Sequence, residues 1–280
     1  MKTALDTRIS RKFRALSEAG ELGLVAYVTA GDPTLDATEK IVLASAAAGA
    51  DVIELGVPFS DPVADGPTIQ RASERALASG TTLESVLGLL KRIRAKSDVP
   101  IVLFSYFNPM LQMGLGKFAA AAAQAGADGV LATDLTPEEA GDYRAALEAN
   151  GLDAIFLVAP TTSDARLGSV AEASSGFLYL ISRNGITGAQ DALPADLPAL
   201  VRRVRKSTKL PVAVGFGISQ PTHVTVLGGL ADAAVVGSAL VAEIEKAGSA
   251  DAAAIAVAAK IASLKGAASK GVSRRSFDAP

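Results

Sequence analysis

The chain has 280 residues, 27 basic and 29 acidic side chains, a net charge of −2, one histidine and no cysteine. Without cysteine there is no disulfide framework, thiol nucleophile, zinc finger or iron–sulfur cluster, and one histidine cannot build a multi-histidine metal site, so no metal is expected. The near-balanced charge argues against a general nucleic-acid binder.

The opening stretch, Met1 to Arg8, carries early charges and no apolar run, so it does not read as a secretory signal. No window reaches the 18 or so apolar residues that a membrane span needs. The chain therefore reads as soluble and cytoplasmic. Ile9, Phe13 and Leu16 follow at helical spacing, which predicts a helix packed under the first strand.

One joint then recurs along the chain: glycine, a small residue, aspartate and a short apolar run. It reads Gly49-Ala50-Asp51-Val52-Ile53, Gly126-Ala127-Asp128-Gly129-Val130 and Gly151-Leu152-Asp153-Ala154-Ile155, with a looser copy at Gly229-Leu230-Ala231-Asp232. Glycine after a helical stretch suits a helix C-cap, and the apolar run suits a buried parallel strand. Eight strands are predicted to begin near Leu24, Asp51, Val99, Asp128, Leu152, Gly176, Pro211 and Asp232. Between and after them, helical patterns cover residues 34–48, 82–96, 114–125, 137–149, 164–173, 194–206, 219–228 and 238–246. Asp32-Pro33 reads as a helix start, with Pro33 at the first helical position.

Strict strand–helix alternation with eight repeats predicts an α/β fold: a (β/α)8 TIM barrel, one domain over residues 1–265 with an extra N-terminal helix. A doubly wound open sheet is the competing arrangement, but the first turn, Gly31-Asp32-Pro33, lacks its glycine fingerprint. Residues 266–280 read as a frayed basic tail. Two connections are long, after the second strand (56–81) and after the sixth (182–193). Barrel chemistry sits at the C-terminal ends of strands, so both are candidate functional loops.

The second strand reads Val52-Ile53-Glu54-Leu55-Gly56. Alternation puts Ile53 and Leu55 toward the helices and sends Glu54 into the barrel near its mouth, where lost hydration should raise its pKa. A carboxyl poised near neutrality can act as acid and as base. The loop after it holds Asp61 and Asp65, and composition does not choose between them. Glycine-rich turns after the sixth, seventh and eighth strands suit a phosphoryl group, since backbone N–H groups and a helix N-terminus favour an anion. They read Asn184-Gly185-Ile186-Thr187-Gly188, Gly215-Phe216-Gly217-Ile218-Ser219 and Val236-Gly237-Ser238-Ala239. Lys209 falls at the wrong barrel end for Schiff-base chemistry, and His223 reads as a surface residue. Tyr27, Phe104, Tyr106 and Tyr179 fall at strand ends where they could line an apolar pocket.

Several blocks together resemble the tryptophan synthase α-subunit family, over roughly residues 8–262. They are Val25 to Pro33, Glu54 to Pro62, Ala64 to Gln70, Tyr106-Phe107-Asn108-Pro109 and the three glycine-rich turns. The resemblance implies a barrel lyase that cleaves indole-3-glycerol phosphate to indole and glyceraldehyde 3-phosphate. It makes Glu54 the catalytic acid/base and selects Asp65 over Asp61 as the second catalytic carboxylate. It places the phosphate on Gly188, Gly217, Gly237 and Ser238, with Tyr179, Thr187 and Phe216 among the substrate-contacting residues. It further implies a β-subunit partner in an α-β-β-α assembly, met through Pro58, Asn108 and Pro109. Pyridoxal phosphate would belong to that partner, and this chain would need no cofactor. Two other readings stay open: a phosphosugar isomerase, or a non-catalytic activator of the β subunit.

Overall fold

A computed structural model describes residues 6–182, 193–215 and 217–268. Among the described residues nine strands run in chain order: β1 Gly23–Thr29, β2 Val52–Gly56, β3 Ile101–Ser105, β4 Gly129–Ala132, β5 Asp153–Ile155, β6 Leu157–Val158, β7 Leu178–Ile181, β8 Val212–Gly215 and β9 Ala233–Val236. All pairings are parallel, in the order β5-β4-β3-β2-β1-β9-β8-β7-β6. The two outermost strands are consecutive in the chain, separated only by Phe156, so they form one broken stave and the sheet closes on itself there. Eight staves with intervening helices make the expected (β/α)8 barrel.

The helices are α1 Arg8–Ala19, α2 Leu35–Ala47, α3 Pro67–Ala78, α4 Leu83–Arg94, α5 Phe107–Met113 and α6 Leu115–Ala125. They continue with α7 Gly141–Ala149, α8 Asp164–Ala173, α9 Leu197–Arg205, α10 Pro221–Leu227, α11 Ser238–Lys246 and α12 Ala250–Ala268. Three of these differ from expectation. The connection after β2 is a loop over 57–66 followed by α3, which begins with Gly66 as N-cap and Pro67 in its first turn. α5 follows Tyr106 directly. α12 runs to a buried Ala268 and packs on α2, so the ordered fold passes residue 265. The helix after β1 also starts later than expected. Thr34 caps it through its side chain and Leu35 is its first residue, while Asp32-Pro33 forms a cis turn ahead of it.

Two apolar layers hold the barrel. Ile53, Leu55 and Leu103 join the helices in an outer core, whereas Val25, Val52, Val102, Leu131 and Ile155 fill the inside. Ile9, Phe13 and Leu16 of α1 plug the floor, with the Phe13 and Phe177 rings 5.5 Å apart.

Three of the four aspartates of the recurring joint have a shared physical role at that floor, whereas Asp153 accepts the Thr7 hydroxyl instead. Asp51 Oδ2 accepts the N–H of Leu24 at 2.9 Å, Asp128 Oδ2 that of Ile101 at 2.8 Å, and Asp232 Oδ2 that of Val212 at 2.7 Å. Each carboxylate thus satisfies a buried N–H at or next to the start of the preceding stave, which the ladder leaves unpaired. Each is in turn paired with a cation: Lys265, Arg94 and Arg205 respectively.

Candidate active site

Glu54 sits on the inner face of β2 near its C-terminal end, level with Tyr27 of β1 and Val102 of β3. It is 1% exposed, and its Oε1 atom has no hydrogen-bond partner among the described residues. Burial alone pushes its pKa up to about 8, because no described cation lies near enough to offset the lost hydration. The backbone alternation that aims Ile53 and Leu55 at the helices is what places this carboxyl inside.

The loop after β2 folds back over the mouth and separates the two aspartates that composition left equivalent. Asp61 is exposed, and its carboxylate accepts a hydrogen bond from the neighbouring Ser60 hydroxyl, whereas Asp65 is buried. The Tyr106 hydroxyl, at the end of β3, donates to Asp65 Oδ2 at 3.1 Å and accepts the Ala64 N–H at 2.9 Å. The Phe59 ring packs on the Tyr106 ring with centroids 5.2 Å apart. Burial raises the Asp65 pKa to about 6, and the Tyr106 hydrogen bond opposes that rise.

Tyr27 and Tyr179 complete the inner wall. Both are buried, and the phenol of each is pushed well above its ordinary value, mainly by burial and also by the charges of Glu54 and Asp65. The four groups therefore share one electrostatic environment at the mouth. Phe104 meets the Tyr27 ring edge-on at 5.3 Å. Two glycines make room for these rings. A Cβ on Gly56 would collide with the Tyr27 hydroxyl, and one on Gly215 would collide with that of Tyr179. Each glycine faces inward two residues beyond the cross-strand neighbour of its tyrosine, a signal that alternation offers and sequence reading passed over.

On the same rim, Gly217 has φ +88°, a left-handed backbone suited to glycine. Gly237 is the N-cap of α11 and Ser238 its first residue; both are half-buried. Thr187, Gly188 and Phe216 lie outside the described residues, as do all of residues 183–192. His223 is buried rather than on the surface. Its Nδ1 accepts the Ser219 N–H at 3.3 Å, so it braces the turn after β8 from below. Asn108 is exposed and Pro109 half-buried in the first turn of α5, while Pro58 is buried within the chain. Among the described residues no group of three or more His, Cys, Asp or Glu could hold a metal ion.

The geometry defines a class: a (β/α)8-barrel enzyme with two buried carboxyls of different acidity at its mouth, facing a glycine-rich rim. The family model for the tryptophan synthase alpha chain matches residues 13–269, and the chain belongs to that family. It is 55% identical over 240 residues to the tryptophan synthase alpha chain of Citrifermentans bemidjiense, covering 86% of this chain and 90% of that one. Identity with the corresponding chain of Solibacter usitatus is 54% over the same length and shares. Among solved structures, tryptophan synthase of Mycobacterium tuberculosis superposes with TM-score 0.87 at 34% identity, covering 95% of this chain and 99% of that one. The tryptophan synthase complex of Pyrococcus furiosus superposes with TM-score 0.81 at 38% identity, covering 88% and 98%. The family's reaction is cleavage of indole-3-glycerol phosphate in tryptophan biosynthesis.

Proposed function

We propose that Glu54 and Asp65 carry out this lyase reaction, releasing indole and glyceraldehyde 3-phosphate. The observation that supports it most is the pairing of a buried, neutral Glu54 carrying one unpartnered oxygen with an Asp65 that ionises more readily. Two carboxyls whose surroundings separate their acidities divide the acid and anion roles.

At neutral pH Glu54 is protonated and gives its proton to C3 of the indole ring. The positive charge that develops centres on the ring nitrogen, where the ionised Asp65 stabilises it. Glu54, now a carboxylate, takes the proton of the glycerol hydroxyl on the carbon attached to the ring. That oxygen's electrons form the aldehyde carbonyl as the carbon–carbon bond breaks. The bond's electron pair returns to the ring and neutralises the cation. Glu54 ends in the form in which it began.

Tyr27, Phe104, Tyr106 and Tyr179, with Phe216, would flank the indole. The phosphoryl tail would rest on Gly188, Gly217, Gly237 and Ser238, with Thr187 beside it, and would fix the orientation of the glycerol chain. The partner is the β subunit, met across the mouth in an α-β-β-α assembly. The exposed Leu111, on the same helix as Asn108 and Pro109, supports an apolar contact there, whereas the buried Pro58 shapes the loop from within. Pyridoxal phosphate would be held by that partner alone, and a cytoplasmic setting goes with this reading. Indole release from indole-3-glycerol phosphate by the purified chain tests the assignment. A phosphosugar isomerase or a non-catalytic activator would release none.

A further inference from the structure

One ionic cluster links three segments at the mouth without touching the reacting centre. Asp32, just beyond β1, is 1% exposed. Arg75 of α3 clasps it twice, Nε to Oδ1 at 2.8 Å and Nη2 to Oδ2 at 2.8 Å, and gives Nη1 to Glu245 Oε1 of α11 at 2.9 Å. Arg71, one turn earlier, clasps the same Glu245 with Nε to Oε1 at 2.7 Å and Nη2 to Oε2 at 2.9 Å. These two guanidinium groups hold the Glu245 carboxyl down to about 2. Two cations thus meet two anions, and all but one of the five bonds form bidentate pairs, the strong geometry for a guanidinium and a carboxylate.

The helices joined in this way both begin at the mouth. α3 starts two residues after Asp65, and α11 starts at Ser238. β1 lies between their parent staves β2 and β9, and Asp32 belongs to the β1 end. Val241 of α11 packs with Ile69 and Ala72 of α3 over Tyr27, so the two helices share an apolar contact there and are also tied at the Glu245 end. A nine-residue helix is about 13 Å long, so displacement at Glu245 is passed on to Ser238 at comparable size.

We propose that Glu245, through Arg71 and Arg75, is a positioning residue that sets the phosphate-facing end of α11 against Asp65. The cluster then couples capture of a phosphate monoester to the placement of the second carboxyl. This inference rests on the reading of Gly237 and Ser238 as a phosphate anchor. Glu245 is the informative position. Its ion pairs with the guanidiniums are partly solvated and add little to stability, whereas loss of Arg75 would strand the buried Asp32.

The experiment uses the full chain with Glu245→Gln, Glu245→Ala and Ser238→Asp. Glycerol 3-phosphate affinity is read by calorimetry, kcat and KM from indole release, and Tm by scanning. For Glu245→Ala, Kd and KM should both rise about five- to tenfold and kcat should fall about threefold, with a smaller change for Glu245→Gln. Tm should stay within about 3 °C of the parent chain. A Kd and kcat/KM within twofold of the parent for Glu245→Ala would overturn the proposal, as would a loss of Tm with unchanged affinity. Ser238→Asp sets a carboxylate at the anchor. If that variant still binds glycerol 3-phosphate normally, the anchor reading itself fails; if it loses binding while Glu245→Ala does not, only the positioning role fails.

Discussion

The Tyr106 hydroxyl donates to Asp65 Oδ2 at 3.1 Å across a gap of 41 residues in the chain. The same hydroxyl oxygen accepts the Ala64 N–H, so one phenol pins both the backbone and a carboxylate of the loop after β2. The bond to Asp65 favours its ionised form and works against its burial.

Tyr106→Phe keeps the ring against Phe59 and removes only the hydroxyl's bonds. The Asp65 pKa should rise further above about 6, so the acid limb of the kcat profile should move to higher pH by roughly half a unit or more. At pH 7 kcat should fall about three- to tenfold with KM little changed. An acid limb that stays in place would show that the phenol does not act on Asp65.

Gly56→Ala tests the fit of the inner wall. The added methyl would overlap the Tyr27 hydroxyl and lie 2.7 Å from the ring carbon Cζ, and Phe104 blocks one direction of retreat. Denaturant unfolding should show a loss of about 1–3 kcal/mol, and kcat/KM for indole release should fall at least tenfold as Tyr27 is driven into the pocket. A variant equal to the parent in both would mean that the wall is looser than the geometry states.

Glu54 should make the fold sensitive to alkali. Its folded pKa of about 8 lies above the ordinary 4.5, so the stability it contributes is fully present below pH 4.5 and is lost as pH rises toward 8. Asp65 acts in the same direction between 3.8 and about 6. Glu54→Gln removes the larger of these two effects. Urea unfolding of the variant should match the parent near pH 5 and exceed it by about 2 kcal/mol or more at pH 9. Parallel stability curves across that range would contradict a buried neutral carboxyl.

The barrel was legible in the sequence because its period is written twice, in the apolar runs and in the Gly-x-Asp joints that cap the staves from below. All eight expected strand starts fall within two residues of the observed staves, and Glu54 was placed by alternation alone. The misses have physical reasons. α12 is alanine-rich on every side, so it has no polar face to reveal its period. α3 begins at Gly66-Pro67, directly after a run of Asp and Pro that reads as loop. His223 lies on a short helix whose inner face was not apparent, and a backbone N–H supplies the partner that makes its burial tolerable. Composition could not show that Asp65 rather than Asp61 is buried, because Tyr106, which a different stave delivers, is what holds it there.

The most direct measurement is indole release from indole-3-glycerol phosphate by Glu54→Gln, alongside its calorimetric affinity for glycerol 3-phosphate. The amide keeps the size of the side chain and can neither give nor take the proton. The account predicts a fall in kcat of about a thousandfold or more with phosphate-ester affinity within twofold of the parent chain. Indole formation within tenfold of the parent would contradict it.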